Sequence, residues 1–464
     1  MFTLLSNQAP ANIASHPANF QPAQVLDIDI GRPLPAFAAS DAHIARTYQC
    51  AWALIRLHTR PLGQVELRFG PTGLSADECA RQIWAGLRTE ILQHLREDGL
   101  PEADTLTAAG LPSDKTPHCL CERARLLANA RFVSIVIATR NRPQQIARCL
   151  ASLLALEYPC YEIVVVDNAP DTDQTEQVVL QIAASAPSVR YVREDRPGNA
   201  WARNRGLREA RGEIVAFADD DVIFDTHWLA ALVECFMIDP RVACVTGMIL
   251  PMELETPPQA WIEQYGGFNK GFARRIYDLD EHRPRHPLYP FTAGMFGSGA
   301  SMAFKTSVLR DLGGFDPAMG CGSPALGGED LAAYFRVIIS GHKLVYEPAA
   351  IVRHSHYRDY AKLRKQLYGY GVGLTAFLTK CLFDDPRLLI DFIVRIPYGL
   401  FFIFSPHSAK NRKKTGAYPH ELTKVELKGM VYGPLAYLIS RRHARRLYRH
   451  SATLPAVASA VKEA

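Results

Sequence analysis

Ile214-Val-Ala-Phe-Ala-Asp219-Asp220-Asp221 joins a short apolar run directly to three aspartates. Five uncharged residues of that kind suit a buried strand, and the acidic triplet marks the point where it leaves the core. The same pattern recurs upstream. Phe132–Ala138 runs into Thr139-Arg140-Asn141-Arg142, Ile163–Val166 runs into Asp167-Asn168, and Val189–Val192 is a fourth short strand-like stretch. Between the first two, Pro143 stands in the first turn of a helix whose Ile146, Leu150, Leu153 and Leu154 share one face. Repeated strand, helix, strand units predict an α/β fold with a mostly parallel central sheet and helices on both faces. Ligands of such sheets bind beyond the C-terminal strand ends, where these polar clusters fall.

Three adjacent carboxylates repel one another and call for a compensating cation. Mg²⁺ or Mn²⁺ binds hard oxygens, commonly one or two carboxylates plus substrate phosphates, which suits Asp219 and Asp221; a solvated acidic turn is the other reading. Asp167 can accept from a nucleobase N–H or cap a turn before Pro170. Gly198–Gly206 places Arg203 ahead of the triplet, for a diphosphate or as one residue of a solvated basic face. Gly327-Gly328-Glu329-Asp330 either delivers a general base or N-caps the apolar helix that follows. His354 and His356, after an apolar stretch, complete a metal shell or are structural.

A chain of 464 residues exceeds one core. We divide it into a loosely ordered arm (1–40), a small α+β module (41–130), the α/β domain (131–375) and a basic, largely helical C-terminal region (376–464). The module is expected to hold two strands around Pro61-Leu62-Gly63 and a helix from Ser75 with Cys79, Ile83, Leu87, Ile91 and Leu95 inward. Hydrophobic residues at 48% and charged residues at 21% exclude a disordered chain and a polytopic membrane protein. Ten scattered cysteines without paired CxxC spacing read as reduced thiols, and the first basic residue, Arg32, comes too late for a signal peptide, so a cytoplasmic location is expected.

In order and approximate spacing, VSIVIATRNR (133–142), IVVVDNAPD (163–171), GNAWARNRGLREARGEIVAFADDD (198–221), GSGASMAF (297–304), LRDLGGFDP (309–317), GGEDLAAYFRVIISGHKLVYEP (327–348) and IVRHSH (351–356) resemble the inverting glycosyltransferases of family 2. The resemblance runs from about Phe132 to Tyr370. It implies a GT-A, Rossmann-like fold and transfer from a nucleotide-diphosphate sugar, with UDP the first choice, to a saccharide or lipid-linked hydroxyl. Thr139 and Asp167 would touch the nucleoside, with Arg140, Asn141, Asn168, Arg203 and Asp220 in the same donor site. Asp219 would meet the ribose or sugar side and the metal, and Asp221 and His354 would bind that Mg²⁺ or Mn²⁺, with His356 competing. Asp330 would be the catalytic base and Glu329 would contact the acceptor or orient the base. A catalytically silent sugar-nucleotide or glycan-binding protein on the same scaffold is the alternative.

Processive relatives carry Q-x-x-R-W after the base. Arg364-Lys-Gln-Leu-Tyr368 lacks the Trp, so one transfer per encounter is expected. Leu388–Phe404 is short for a membrane span and contains Asp391, Arg395 and Pro397. From Ser405 onward twelve Lys or Arg face three Glu, a net +9 against −4 for the rest. Leu388–Phe404, Gly429–Ile439 and the clusters Lys410–Lys414 and Arg441–Arg446 either lie on an anionic inner membrane face or form a buried amphipathic helix with solvated charges. No nucleic-acid module accompanies the tail, so nucleic acid is not an expected partner. Gly369, Gly371 and Gly373 lack dinucleotide-fingerprint spacing.

Overall fold

The structure is a computed structural model that describes residues 20–41, 46–266, 268–408, 410–412, 414 and 418–453. Residues 1–19 of the expected arm, Lys413 and the last eleven residues fall outside that set.

The N-terminal module holds β1 (Gln24–Asp29), the two-residue pair β2 (Ser40–Asp41) and β3 (Arg46–Thr47), β4 (Cys50–Leu57), β5 (Arg60–Arg68), α1 (Ala76–Glu97) and α2 (His118–Ala128). Two expectations are corrected here. Gln24–Asp29, placed in the loose arm, is a strand parallel to β4, with Ile28 opposite Ile55; its partner lies far along the chain, so no local period announces it. The hairpin turns at His58-Thr59, not at Pro61–Gly63. Both turn residues have positive φ (53° and 69°) and Leu57 pairs with Arg60, the two-residue geometry that matches strand twist. Pro61 is accommodated inside β5 because β5 is the edge of the order β1-β4-β5. Ser75 caps α1 by accepting from Glu78 N–H (3.2 Å), and Cys79, Ile83, Leu87, Ile91 and Leu95 are buried as their spacing predicts. Each buried aliphatic side chain there contributes roughly 1.5–3 kcal/mol of transfer free energy.

The main domain begins with β6 (Val133–Thr139), α3 (Pro143–Leu154), β7 (Tyr161–Asn168), α4 (Gln174–Ser185), β8 (Val189–Glu194), α5 (Asn199–Glu209), β9 (Ile214–Asp219) and β10 (Val222–Phe224). It continues through α6 (Trp228–Cys235), β11 (Val242–Pro251), α7 (Pro257–Tyr265), β12 (Arg275–Tyr277), β13 (Ser301–Lys305), α8 (Thr306–Asp311), α9 (Glu329–Ile339) and β14 (Lys343–His354). The sheet order is β10-β14-β11-β13-β9-β6-β7-β8, with β12 on β14. From β9 to β8 every pair is parallel; antiparallel pairs involving β10, β12 and β13 are confined to the other half.

Alternation along the strands sends side chains to two cores, one on each face. Ile135, Ile137, Ile163 and Val165 pack with Ile146 and Leu150 of α3 and Trp228 of α6. Val136, Val164, Val166 and Phe217 pack with Ala200 and Leu207 of α5 and Phe335 of α9.

The C-terminal region is α10 (Tyr360–Asp384), α11 (Leu388–Phe404) and α12 (His420–Thr453). The expected boundary at residue 375 falls inside α10, which packs along α12. Their crossing is close because it is built on glycine. A Cβ on Gly371 would sit 2.1 Å from Glu426 O, and one on Gly429 2.2 Å from Tyr368 O. Gly371, which has no dinucleotide role, is thus a helix-packing residue.

Candidate active site

Register aligns the polar strand ends. Thr139 pairs with Asp167 and Ala138 with Asp219, so three neighbouring parallel strands finish side by side with Asp167, Thr139 and Asp219 in a row. Asp219 then leads into Asp220 and Asp221, and His354, the last residue of β14, lies opposite Val222.

Asp167 is fully buried. Its Oδ2 accepts from Tyr191 Oη (3.2 Å), while Oδ1 is buried without a partner, and burial raises its pKa. A buried acceptor of that kind is costly unless a ligand completes it. Thr139 Oγ1 does not point outward; it donates to Asp220 Oδ2 (2.7 Å). Arg142 donates to the other oxygen of Asp220 (2.7 Å) and approaches Asp221 Oδ2 (3.3 Å). Asp220 is therefore turned into the protein, where it anchors the acidic turn to the end of β6.

Three further donor-site candidates are engaged elsewhere. Arg140 and Asn141 reach the exposed Asp171, and the Asp171 N–H donates back to Asn141 Oδ1 (3.0 Å). Asn168 donates to Arg196 O (2.8 Å) and accepts from Gly198 N–H (2.8 Å), which fixes the entry to α5.

Arg203, on α5, is buried at the centre. One terminal nitrogen donates to Asp219 Oδ1 (3.0 Å) and Gly299 O (3.1 Å), and the other to Glu329 Oε1 (3.1 Å). Burial pushes Asp219 up, Arg203 opposes it, and Asp221 and Asp220 add to the rise, which reaches about 7; its side chain keeps 37% of its accessibility. Glu329 is also held high by burial despite Arg203. It additionally accepts from Asn199 Nδ2 (3.0 Å).

Glu329 and Asp330 open α9, where the helix N-terminus favours acids. The preceding Gly328 has φ 86°, and a Cβ there would meet Gly373 O at 2.6 Å, so the loop is seated against α10. Asp330 accepts from Gly299 N–H (2.9 Å) and Leu331 N–H (2.8 Å). Gly299 thus joins the base candidate to Arg203, and a Cβ on it would lie 2.9 Å from both terminal nitrogens of that guanidinium.

At the far end, Asp221 Oδ1 is buried without a hydrogen bond and faces His354 Nε2 at 3.5 Å. Burial is the main cause that lowers His354, to about 4, with Asp221 opposing and His356 adding, so the imidazole is neutral at neutral pH. His356 turns away: its Nε2 lies 2.8 Å from Glu263 Oε1, and Phe268 packs at a tilt against both rings. Five carboxylates, Asp219, Asp220, Asp221, Glu329 and Asp330, face two cations, Arg142 and Arg203. The orphaned oxygen, the neutral imidazole and the excess negative charge suit a divalent cation held by Asp221 and His354.

Sequence reasoning missed Arg142, Asn199, Gly299 and Glu263 as members of this network. Arg142, Asn199 and Gly299 stood in quoted motifs without being given a role; Glu263 comes from a segment whose approach only the fold creates.

Residues 134–313 match the family described as Glycosyl transferase family 2. The chain is 30% identical over 243 residues to the pre-mycofactocin glycosyltransferase of Mycobacterium tuberculosis, covering 52% of this chain and 46% of that protein. It is 23% identical over 266 residues to the glucosyl-dolichyl phosphate glucuronosyltransferase of Haloferax volcanii, covering 54% and 80% respectively. The chain thus spans about half the length of the first relative. Among solved structures, the mannosyltransferase of Pyrobaculum calidifontis in complex with GDP-Man and Mn²⁺ aligns at a TM-score of 0.42 and 20% identity, over 72% of this chain and 89% of that one.

Proposed function

We propose, from the match of residues 134–313 to glycosyl transferase family 2, that the chain moves a sugar from a nucleotide-diphosphate sugar to a hydroxyl of a saccharide or lipid-linked acceptor. The transfer inverts the anomeric centre and occurs once per encounter. The observation that carries this reading is the pair of buried, unpartnered carboxylate oxygens, Asp167 Oδ1 and Asp221 Oδ1, at either end of one strand-end row.

Asp167 receives the base. Tyr191 occupies its other oxygen, leaving Oδ1 to accept a single ring N–H, which suits the N3–H of uracil or thymine better than guanine with its paired donors. UDP is kept as the first-choice donor nucleotide, with dTDP fitting the same acceptor. Asp219, still partly accessible, lies where the ribose and diphosphate would follow. Mg²⁺ or Mn²⁺ held by Asp221 and His354 would stabilise negative charge on the leaving diphosphate.

Asp330 acts as the general base. It takes the acceptor hydroxyl proton as that oxygen bonds to the anomeric carbon and the bond from that carbon to the diphosphate oxygen breaks. Its two backbone hydrogen bonds hold the carboxylate in place. Glu329 acts through Arg203 and Asn199 and is a positioning residue.

The partner surface proposed for the C-terminal region is an anionic membrane. No helix among the described residues is long and apolar enough to cross one. Yet α11 buries none of its residues, against the buried-helix reading, and exposes Ile390, Ile393, Val394, Ile396, Leu400 and Phe401. Within the Lys410–Lys414 cluster, Lys410 pairs with Glu426 and burial lowers Lys414 to about 8, while Arg412 is exposed and Lys413 lies outside the described residues. Arg442, Arg445 and Arg446 are among the exposed cations of α12, and they would meet lipid headgroups at the inner face.

The deciding experiment is turnover with UDP-, GDP- and dTDP-sugars, with and without Mg²⁺ or Mn²⁺, using wild type, Asp221→Ala and Asp330→Asn. Cation-dependent turnover that collapses in both variants is expected. Tight nucleotide binding without turnover in any acceptor mixture would favour the silent binding protein instead.

A further inference from the structure

Apart from the residues of the strand-end site, four side chains of the N-terminal module converge from four segments. His58 comes from the β4–β5 turn, His94 from the last turn of α1, Asp98 from the cap that ends it, and Cys119 from the first turn of α2. One potential ligand atom from each lies within 4.8 Å of all the others. His58 Nδ1, His94 Nε2 and Cys119 Sγ stand 2.8, 3.1 and 3.1 Å from Asp98 Oδ2, and the two imidazole nitrogens are 3.3 Å apart.

We propose that His58, His94, Asp98 and Cys119 form a structural zinc site that clamps the hairpin, α1 and α2 together. The chemistry of the donor set selects the metal. Two imidazoles, a thiolate and one carboxylate oxygen make a closed four-ligand shell of the kind zinc prefers, whereas Mg²⁺ and Mn²⁺ take mainly oxygen. Tetrahedral bonds of about 2.0–2.3 Å set ligand atoms roughly 3.3–3.8 Å apart, so the cluster needs only a slight opening around the ion. Charge also balances, because a thiolate and a carboxylate neutralise Zn²⁺ within a buried site.

Three structural features fit a tie at this point. The two-residue hairpin turn that sets His58 at φ 53° also presents its ring to the cluster. Cys119 N–H donates to Asp98 Oδ1 (3.0 Å), which leaves Oδ2 as the single inward ligand and orients it. The only buried side chain of α2 is Arg123, so apolar burial alone anchors this helix weakly. Arg123 and Arg60 both pair with Glu234 of α6, so the clamp sits where the module meets the main domain. This site is separate from Asp221 and His354 and calls for a softer metal.

The test is metal content and spectroscopy on the full chain purified without chelators from zinc-supplemented medium. About one zinc per chain is expected by elemental analysis in wild type and in Asp221→Asn, and much less in Cys119→Ser and His94→Gln. Cobalt substituted into wild type should show a thiolate-to-metal charge-transfer band and the intense visible bands of a tetrahedral site, which requires no variant to fold. Substoichiometric zinc with no such band would overturn the proposal and leave Asp98 as a hydrogen-bond hub. Zinc retained in Cys119→Ser but lost in Asp221→Asn would also overturn it.

Discussion

Asp221 Oδ1 and His354 Nε2 face each other across 3.5 Å, a buried oxygen with no hydrogen bond and a neutral imidazole nitrogen. Direct pairing would require the imidazole to be protonated or better aligned, so the arrangement gains from a third body between them. Removing either ligand should therefore weaken the same metal. For His354→Ala we expect the Mn²⁺ concentration that gives half-maximal turnover to rise on the order of 10–100-fold. The Asp221→Asn/His354→Ala double variant should be little worse than the poorer single one. Fully additive losses in a metal titration would place the two residues in separate tasks.

Arg203 carries two buried or half-buried acids on one guanidinium. Arg203→Met leaves the buried Glu329 without its counter-cation, and should destabilise the fold by about 3–5 kcal/mol. The more accessible Asp219 adds less, because solvent can screen it. Adding Glu329→Gln to Arg203→Met should restore part of the loss in urea unfolding, and Arg203→Lys should not replace the two-sided bridge. No recovery in the double variant would show that lost packing, not the stranded carboxylate, sets the cost.

The sheet and the row of polar strand ends were legible because short apolar strands and the residues that end them are adjacent in sequence. Asp219, Asp221 and Asp167 needed only that local signal. What was not legible depends on long-range approach. Gly299 looks like any loop glycine until Arg203 and Asp330 arrive on either side, and Gly371 and Gly373 gain meaning only against α12 and the Gly327-Gly328 loop. The direction of a side chain in a turn is equally hidden. Three successive aspartates read alike, yet Asp220 is drawn inward by Thr139 and Arg142. Strand β1 lacked local contrast for the same reason, since its partner β4 is remote in the chain.

Glu162 locks the opposite end of the parallel half-sheet. It accepts from Ser134 Oγ (2.7 Å), Arg190 Nε (2.9 Å) and Arg211 N–H (3.0 Å). Burial alone would raise its pKa, but these donors outweigh it and hold the carboxyl below its usual range. The unfolded chain then binds the proton first as pH drops, so this stabilisation is complete above the unfolded value and fades as pH falls through the folded one. Glu162→Gln should cost about 1–3 kcal/mol at pH 7 in chemical unfolding. The gap to wild type should narrow below a pH of about 4. A gap that stayed constant with pH would assign the loss to geometry alone.

Helix α11 should act with α12 in binding lipid. Apolar side chains such as Ile390 (74% exposed) and Val394 (61%) gain by entering the headgroup boundary, while Arg442, Arg445 and Arg446 add attraction to anionic lipid. At about 1 kcal/mol per basic residue, replacing all three arginines with alanine should lower binding to phosphatidylserine-containing vesicles on the order of a hundredfold. Ile390→Glu should weaken binding even with those arginines intact, and added salt should weaken wild type more than the triple variant. Sedimentation with vesicles separates the terms. Equal binding to neutral and anionic vesicles would remove the arginines from the account, and binding unaffected by Ile390→Glu would remove α11.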